Sequence, residues 1–390
     1  MPSDALSLGP RRSCAKLEKT SSSTNVALRS DFAFQTEYDF SQDNRIITKT
    51  KRRIMEKNMK QWLEDLKMAP RKKAFPILFF PAVQLMGKTV EEVISSSDNL
   101  ANGMKLVADR VDSAAAISLM DLSVEAECFG SRIVFSESEV PTVKGSVITE
   151  MEEVEALQIP KIGTGRTGIY VEAVRKATEL IVDRPVFAGM IGPYSLAGRL
   201  LDVTEIMYLC YDEPELVSAL LDKVTEFLIS YGKAYKAAGA NGIMIAEPLA
   251  GLLSPDMEAE FSAPFVKRIV EALQDETFLV IYHNCGDNTI KMIDSILTIG
   301  ADAYHFGNSI DMEEMLQRVP SDIVVMGNID PAGQFCNGTP ESIRKETIER
   351  MEQCCKYSNF VISSGCDIPP MSPWENIDAF FDGVKEFYGK

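Results

Sequence analysis

Histidine is almost missing from this chain: there are 2 in 390 residues, with 2 tryptophans beside them. Also absent is any run of roughly 20 apolar residues free of charge, which excludes a helical membrane span. The opening stretch MPSDALSLGPRRSCAKLEKTSSSTN lacks the apolar run of about 7–15 residues that a secretory signal needs. A cytoplasmic protein with no membrane partner is therefore expected. Basic residues are in deficit, 40 Lys and Arg against 57 Asp and Glu, for a formal net charge of -17. Such a surface repels phosphate backbones, so no nucleic-acid partner is expected. No Gly-x-Gly-x-x-Gly follows the first apolar run. GTGRTG at Gly163–Gly168 lacks the Gly-Lys-Ser/Thr ending of a phosphate loop and reads as a surface loop. The 8 cysteines, in a chain of this cytosolic type and size, point to thiols or metal ligands rather than a disulfide framework.

What is present is an alternation. Apolar β-type runs occur at Ile77–Phe80, Ala115–Leu119, Pro185–Ile191, Gly242–Ala246, Phe278–Tyr282, Ala303–Phe306, Ile323–Met326 and Phe360–Ile362. Helical patterns separate most of them: Pro214–Ala238, Ser262–Gln274, Thr289–Ile299, Met312–Arg318 and Pro340–Tyr357. About eight strands, each followed by a helix, predict an α/β fold of the (β/α)8 TIM-barrel type; a doubly wound open sheet is the alternative. Residues 1–44, rich in Ser, Thr and Arg, read as a flexible N-terminal arm. Residues 45–74 form an N-terminal helical extension, its apolar spacing running from Arg45 to Met68, and residues 75–390 form the barrel.

The chemistry gathers at strand ends. In FLVIYHNCG, Phe278 to Gly286, His283 and Cys285 are two positions apart and project from one face of a strand. In FVISSGC, Phe360 to Cys366, a second apolar run ends in Cys366. One imidazole and two thiols make a zinc ligand set, and three protein ligands leave a fourth tetrahedral position open. Burial of the three for packing alone is the competing reading. Against it, Glu247, His305, Asn328 and Asp330 also fall at strand ends, which converge on one mouth in such a barrel. Glu247 precedes Pro248 and equally suits a helix N-terminus. His305 suits a hydrogen-bond partner of a ligand or a substrate contact. Asn328 and Asp330 suit the walls of the mouth, Asp330 before Pro331 also fitting a cap. Cys128, Cys210, Cys354 and Cys355 lie in helix-like stretches and Cys336 in a Gly-rich loop, where packing suffices.

With DLSVEAECFG (Asp121–Gly130), GPYSLAGRLL (Gly192–Leu201), AGANGIMIAEPLAGLLSP (Ala238–Pro255), His283-x-Cys285 with distant Cys366, and GNIDP (Gly327–Pro331), the chain resembles the uroporphyrinogen decarboxylase superfamily. Within it the chain is most similar to the methylcobalamin:coenzyme M methyltransferases and related corrinoid-dependent methyltransferases. The resemblance spans roughly Phe75 to Tyr388. It implies a barrel in which Zn2+ on His283, Cys285 and Cys366 binds a small thiol such as coenzyme M. The thiol would take a methyl group from methylcobalamin, either free or on a corrinoid protein. In such a site Glu247 would fill the fourth metal position or take the thiol proton, and Tyr194 and Ser195 would line the pocket with His305, Asn328 and Asp330, although GPYSLAG equally reads as a strand-to-helix turn. Porphyrinogen decarboxylation, or corrinoid binding without catalysis, are the alternatives, and a homo-oligomer is compatible with each. The superfamily's decarboxylases carry an arginine-rich segment after the first strand. Here it reads FFPAVQLMGK, Phe79 to Lys88, whose apolar residues are expected to suit a corrinoid face.

Overall fold

A computed structural model describes residues 58–389. Seven parallel strands form the main sheet: β1 (Ala116–Ile117), β4 (Val186–Ile191), β5 (Gly242–Ala246), β6 (Leu279–Asn284), β7 (Ala303–Phe306), β8 (Val324–Ile329) and β9 (Phe360–Ser364), hydrogen-bonded in that order. A small antiparallel hairpin, β2 (Arg132–Val134) with β3 (Thr142–Lys144), lies between β1 and β4 in the chain. From β4 to β9 every strand residue is buried, which is why these strands begin as apolar runs and carry their polar residues at or near their C-terminal ends: a parallel sheet covered by helices has no wet face.

The eighth position holds no strand. The run at Ile77–Phe80, expected to be the first strand, is irregular, and the segment before it closes the ring: Ala114 N donates to Ala74 O at 2.8 Å, and Phe75 N to Ile362 O at 3.0 Å. Pro76 has no N–H to offer a ladder. Ile77 N then bonds the Ser364 hydroxyl at 3.0 Å instead of a backbone carbonyl. Pro81 turns the chain into a short helix, Ala82–Met86. The architecture is TIM-barrel-like all the same.

The extension predicted over residues 45–68 appears as the helix Met59–Met68; its first part and the 1–44 arm lie outside the described residues. This helix covers the N-terminal end of the barrel. Met59 N bonds Glu276 O at 2.6 Å, Lys60 pairs with Asp302 at 2.9 Å, and Lys67 Nζ bonds Asp322 O at 2.9 Å. All three partners stand just before β6, β7 and β8. Met59, Leu63 and Leu66 join Phe75, Phe187, Met244, Leu279, Ile281, Ala303, Val324, Met326 and Val361 in one buried apolar cluster that fills the barrel. No helix among the described residues is long and apolar enough to cross a membrane.

Two further expectations shift. Cys336 ends a single wide helical turn, Pro331–Cys336, rather than lying in a loop. The Gly163–Gly168 segment is not simply surface: Arg166 is 6% exposed and bonds Glu127 at 2.7 Å, Ser123 at 2.8 Å and Asp121.

Candidate metal centre

Inside the barrel the apolar filling ends in a polar layer at the C-terminal side. Side chains alternate across each strand, so the inward set of β6 runs Leu279, Ile281, His283, and that of β7 runs Ala303, His305. On β9 it runs Val361, Ser363. His283 and His305 are paired in register, and both are buried. Cys285 follows β6 by one residue, and Cys366 follows β9 by two.

His283, Cys285 and Cys366 are brought together: their ligand atoms all lie within 4.8 Å of one another, with Cys366 Sγ 3.5 Å from His283 Nε2. A tetrahedral zinc with bonds of about 2.0–2.3 Å holds its ligands about 3.5–3.8 Å apart, so the trio fits a zinc ion with small movement of one thiol. The donor set also fits, since thiolate and imidazole suit zinc and leave little affinity for magnesium or calcium. The neighbouring Cys366 sulfur draws Cys285 below the usual thiol range, and Cys285 in turn pushes Cys366 up, helped by burial. Backbone packing holds the loop in place: a Cβ on Gly286 would fall 2.3 Å from Gly251 Cα.

Behind the ligands runs a hydrogen-bonded line. His283 Nδ1 faces His305 Nδ1 at 2.8 Å, His305 Nε2 faces Ser363 Oγ at 2.8 Å, and Ser363 Oγ donates to Phe75 O at 2.7 Å. Burial, reinforced by the neighbouring His283, holds the His305 pKa well below its ordinary value.

Glu247 stands at the end of β5, its N–H bonded to His283 O at 2.9 Å, but its side chain turns to the neighbouring helix Pro193–Leu201. Oε1 accepts from Tyr194 N at 2.9 Å; Oε2 accepts from Ser195 N at 2.9 Å and Ser195 Oγ at 2.6 Å. The carboxylate thus sits on a helix N-terminus, where free N–H groups and the helix dipole favour negative charge. Burial pushes its pKa up to about 7, with the Ser195 and Tyr194 hydrogen bonds opposing. Gly192 is required there, because a Cβ would lie 2.2 Å from the Glu247 carboxyl carbon. Glu247 is not part of the ligand cluster.

The other anticipated residues all have partners within the fold. The Tyr194 ring points away toward Met207 and Cys210, at 3.4 and 3.7 Å from its hydroxyl. Ser195 Oγ also accepts from Leu249 N at 3.1 Å. Asn328 Nδ2 donates to Gly307 O at 2.9 Å and Ile310 O at 2.7 Å, holding the loop after β7. Asp330 caps the turn that follows, accepting from Ala332 N and Gly333 N at 2.9 Å each. Phe79 and Phe80, expected to meet a macrocycle, are packed in the core, with Phe79 against the helix carrying Gly103.

Sequence reasoning passed over a second group. Asp121, just after β1, accepts from Ser123 Oγ at 2.6 Å and Tyr170 Oη at 2.8 Å and pairs with Arg166. Met120 N bonds Asp367 Oδ2 at 3.2 Å, which ties this group to the residue after Cys366. The DLSVEAECFG motif carried the signal, but nothing in its spacing pointed to Arg166.

A TIM-barrel-like α/β fold with a nitrogen and two sulfurs converging at its mouth narrows the class of protein considerably. Residues 80–387 match the profile of the uroporphyrinogen decarboxylase (URO-D) family, and the chain belongs to that family. Methylcobamide:CoM methyltransferase MtbA of Methanosarcina acetivorans is 29% identical over 271 residues, 68% of this chain and 78% of that protein. The methylated-thiol–coenzyme M methyltransferase of Methanosarcina mazei is 27% identical over 280 residues, 70% and 72% of the two chains. A uroporphyrinogen decarboxylase from Psychromonas ingrahamii is 29% identical over 289 residues, 71% and 80%. Among solved structures, a methyltransferase from Methanosarcina mazei superposes with a TM-score of 0.75 over 85% of this chain and 98% of its own, at 24% identity. It supports the fold.

Proposed function

We propose that this chain is a zinc-dependent methyltransferase that moves a methyl group from methylcobalamin, free or carried by a corrinoid protein, to the sulfur of a small thiol such as coenzyme M. The observation that carries the reading is the convergence of His283, Cys285 and Cys366 within 4.8 Å at the C-terminal end of the barrel. Zinc on these residues would supply Lewis acidity, lowering the pKa of an incoming thiol so that its sulfur reacts as a thiolate at neutral pH.

The chain's own residues do the rest. His283 is oriented by its neighbour His305. Glu247 fixes the start of the helix Pro193–Leu201 against the end of β5. The filled barrel floor keeps water from approaching from below. In the transfer the sulfur–carbon bond forms as the cobalt–carbon bond breaks, and the electron pair remains on cobalt as cob(I)alamin. The thiol proton leaves to solvent.

Relatives of equal identity include decarboxylases, so uroporphyrinogen decarboxylation is the second reading. A substrate with eight carboxylates needs several free cations, each charge-assisted bond contributing roughly 1.5–3 kcal/mol. Arg166 is already committed to Asp121 and Glu127. Metal analysis combined with thiol-dependent demethylation of methylcobalamin separates the two, since the first reading requires both zinc and thiol, and carbon dioxide release from uroporphyrinogen by zinc-free protein supports the second.

A further inference from the structure

The line from Phe75 to His283 has a direction, and the atoms at its far end set it. A backbone carbonyl only accepts, so the Ser363 hydroxyl hydrogen is spent on Phe75 O at 2.7 Å. Ser363 Oγ can then only accept from His305 Nε2, 2.8 Å away, which puts the His305 hydrogen on Nε2. The ring is fully buried with no carboxylate hydrogen-bonded to it, so it stays neutral and its Nδ1 is a bare acceptor. The hydrogen between the two Nδ1 atoms, 2.8 Å apart, therefore belongs to His283.

We infer that His305 and Ser363 are positioning residues that lock His283 as its Nδ1–H tautomer, presenting a bare Nε2 lone pair to the side where Cys366 lies 3.5 Å away. His305 is thereby assigned to the metal ligand rather than to substrate. A free neutral imidazole distributes its hydrogen between both nitrogens, and a metal must then select or rearrange the tautomer; here the choice is made before any ion arrives.

The anchor of the line is rigid. Phe75 belongs to the segment that closes the barrel, and its ring packs against Trp62 at 6.4 Å and Phe187 at 5.5 Å. Trp62 lies on the helix Met59–Met68 that covers the barrel floor. Closure of the barrel by residues 74–77 and readiness of the ligand at its mouth are thus one hydrogen-bonded unit.

The inference rests on the proposed metal site for its purpose, but it is tested apart from it. The chain has 2 histidines, so imidazole-15N labelling of the full chain gives two rings to assign. In metal-free protein, His283 is expected protonated at Nδ1 and bare at Nε2, and His305 the reverse; His283 protonated at Nε2 overturns the inference. Zinc competition against a chromophoric chelator then compares variants. His305→Phe fills the ring's space without an acceptor, and is expected to weaken zinc binding about 10–100-fold. His305→Asn keeps an oxygen where Nδ1 stood, and is expected to recover most of that loss. The opposite order, with Phe equal to the parent and Asn worse, would mean that His305 only fills space, and also overturns the inference. If the parent protein takes up no zinc, the metal reading fails, while the nitrogen spectrum still decides the tautomers.

Discussion

His283 and His305 meet Nδ1 to Nδ1 at 2.8 Å across neighbouring strands, with their ring planes 69° apart. The contact uses both of the chain's imidazoles in one place. It divides their labour: the outer ring turns a nitrogen toward two cysteines, and the inner ring is held from behind by Ser363 and supports it. A barrel whose interior is otherwise apolar below this level tolerates two buried rings because every ring nitrogen faces a polar partner.

Replacing Cys285 or Cys366 by alanine is expected to abolish stoichiometric zinc binding while leaving the barrel folded, because both side chains are half-buried at the rim and neither belongs to the apolar filling. Metal analysis alongside far-UV circular dichroism and melting temperature checks this. Full zinc occupancy in both variants would remove the site assignment.

Glu247→Ala is expected to destabilise the fold by roughly 2–4 kcal/mol, because it strands the Tyr194 and Ser195 N–H groups and the Ser195 hydroxyl in a buried place. Glu247→Gln should cost nearly as much, since its amide nitrogen would face donors on at least one side. Denaturant unfolding reads both, and a change below about 0.5 kcal/mol in each would show that the helix end finds other partners.

Glu258 offers a test by pH. It is 0% exposed, and burial pushes its pKa up to about 7, with the Ser295 and Ser262 hydroxyls opposing. The folded state therefore holds the proton more tightly than the unfolded chain. This stabilisation is fully present below the ordinary carboxyl range and is lost as pH rises through about 7. Glu258→Gln removes the ionisation. It should be more stable than the parent at pH 8 by roughly 2–3 kcal/mol and gain little or nothing at pH 4, and equal pH profiles for the two proteins would contradict the assignment.

Much of this arrangement is legible in the sequence. Strands β4 to β9 announce themselves because burial on both faces makes them apolar until their C-terminal ends, where His283, His305, Asn328 and Ser363 stand. His283 and Cys285 declare a shared face through their spacing of two, and Cys366 repeats the pattern at another strand end. Cross-strand information was not legible. That His305 stands beside His283 depends on the register of β6 against β7, which neither run specifies alone. Glu247 looks like a free carboxylate in sequence because its partners, the N–H groups of Tyr194 and Ser195, are backbone atoms with no residue signature. Arg166 sits among glycines that suggest a surface loop, while the charge it meets lies 45 residues earlier. Ile77–Phe80 has strand composition, but Pro76 and Pro81 on either side move the closing hydrogen bonds back to residues 74–77.

The most direct test of the proposed function is the rate at which methylcobalamin loses its methyl group in the presence of a small thiol such as coenzyme M, followed by absorbance, with zinc-loaded and chelator-stripped protein side by side. The proposal predicts thiol-dependent demethylation by the zinc-loaded protein, collapse of the rate on stripping, and its return when zinc is restored. Equal rates with and without zinc, or no demethylation with any small thiol while zinc-free protein releases carbon dioxide from uroporphyrinogen, would contradict it.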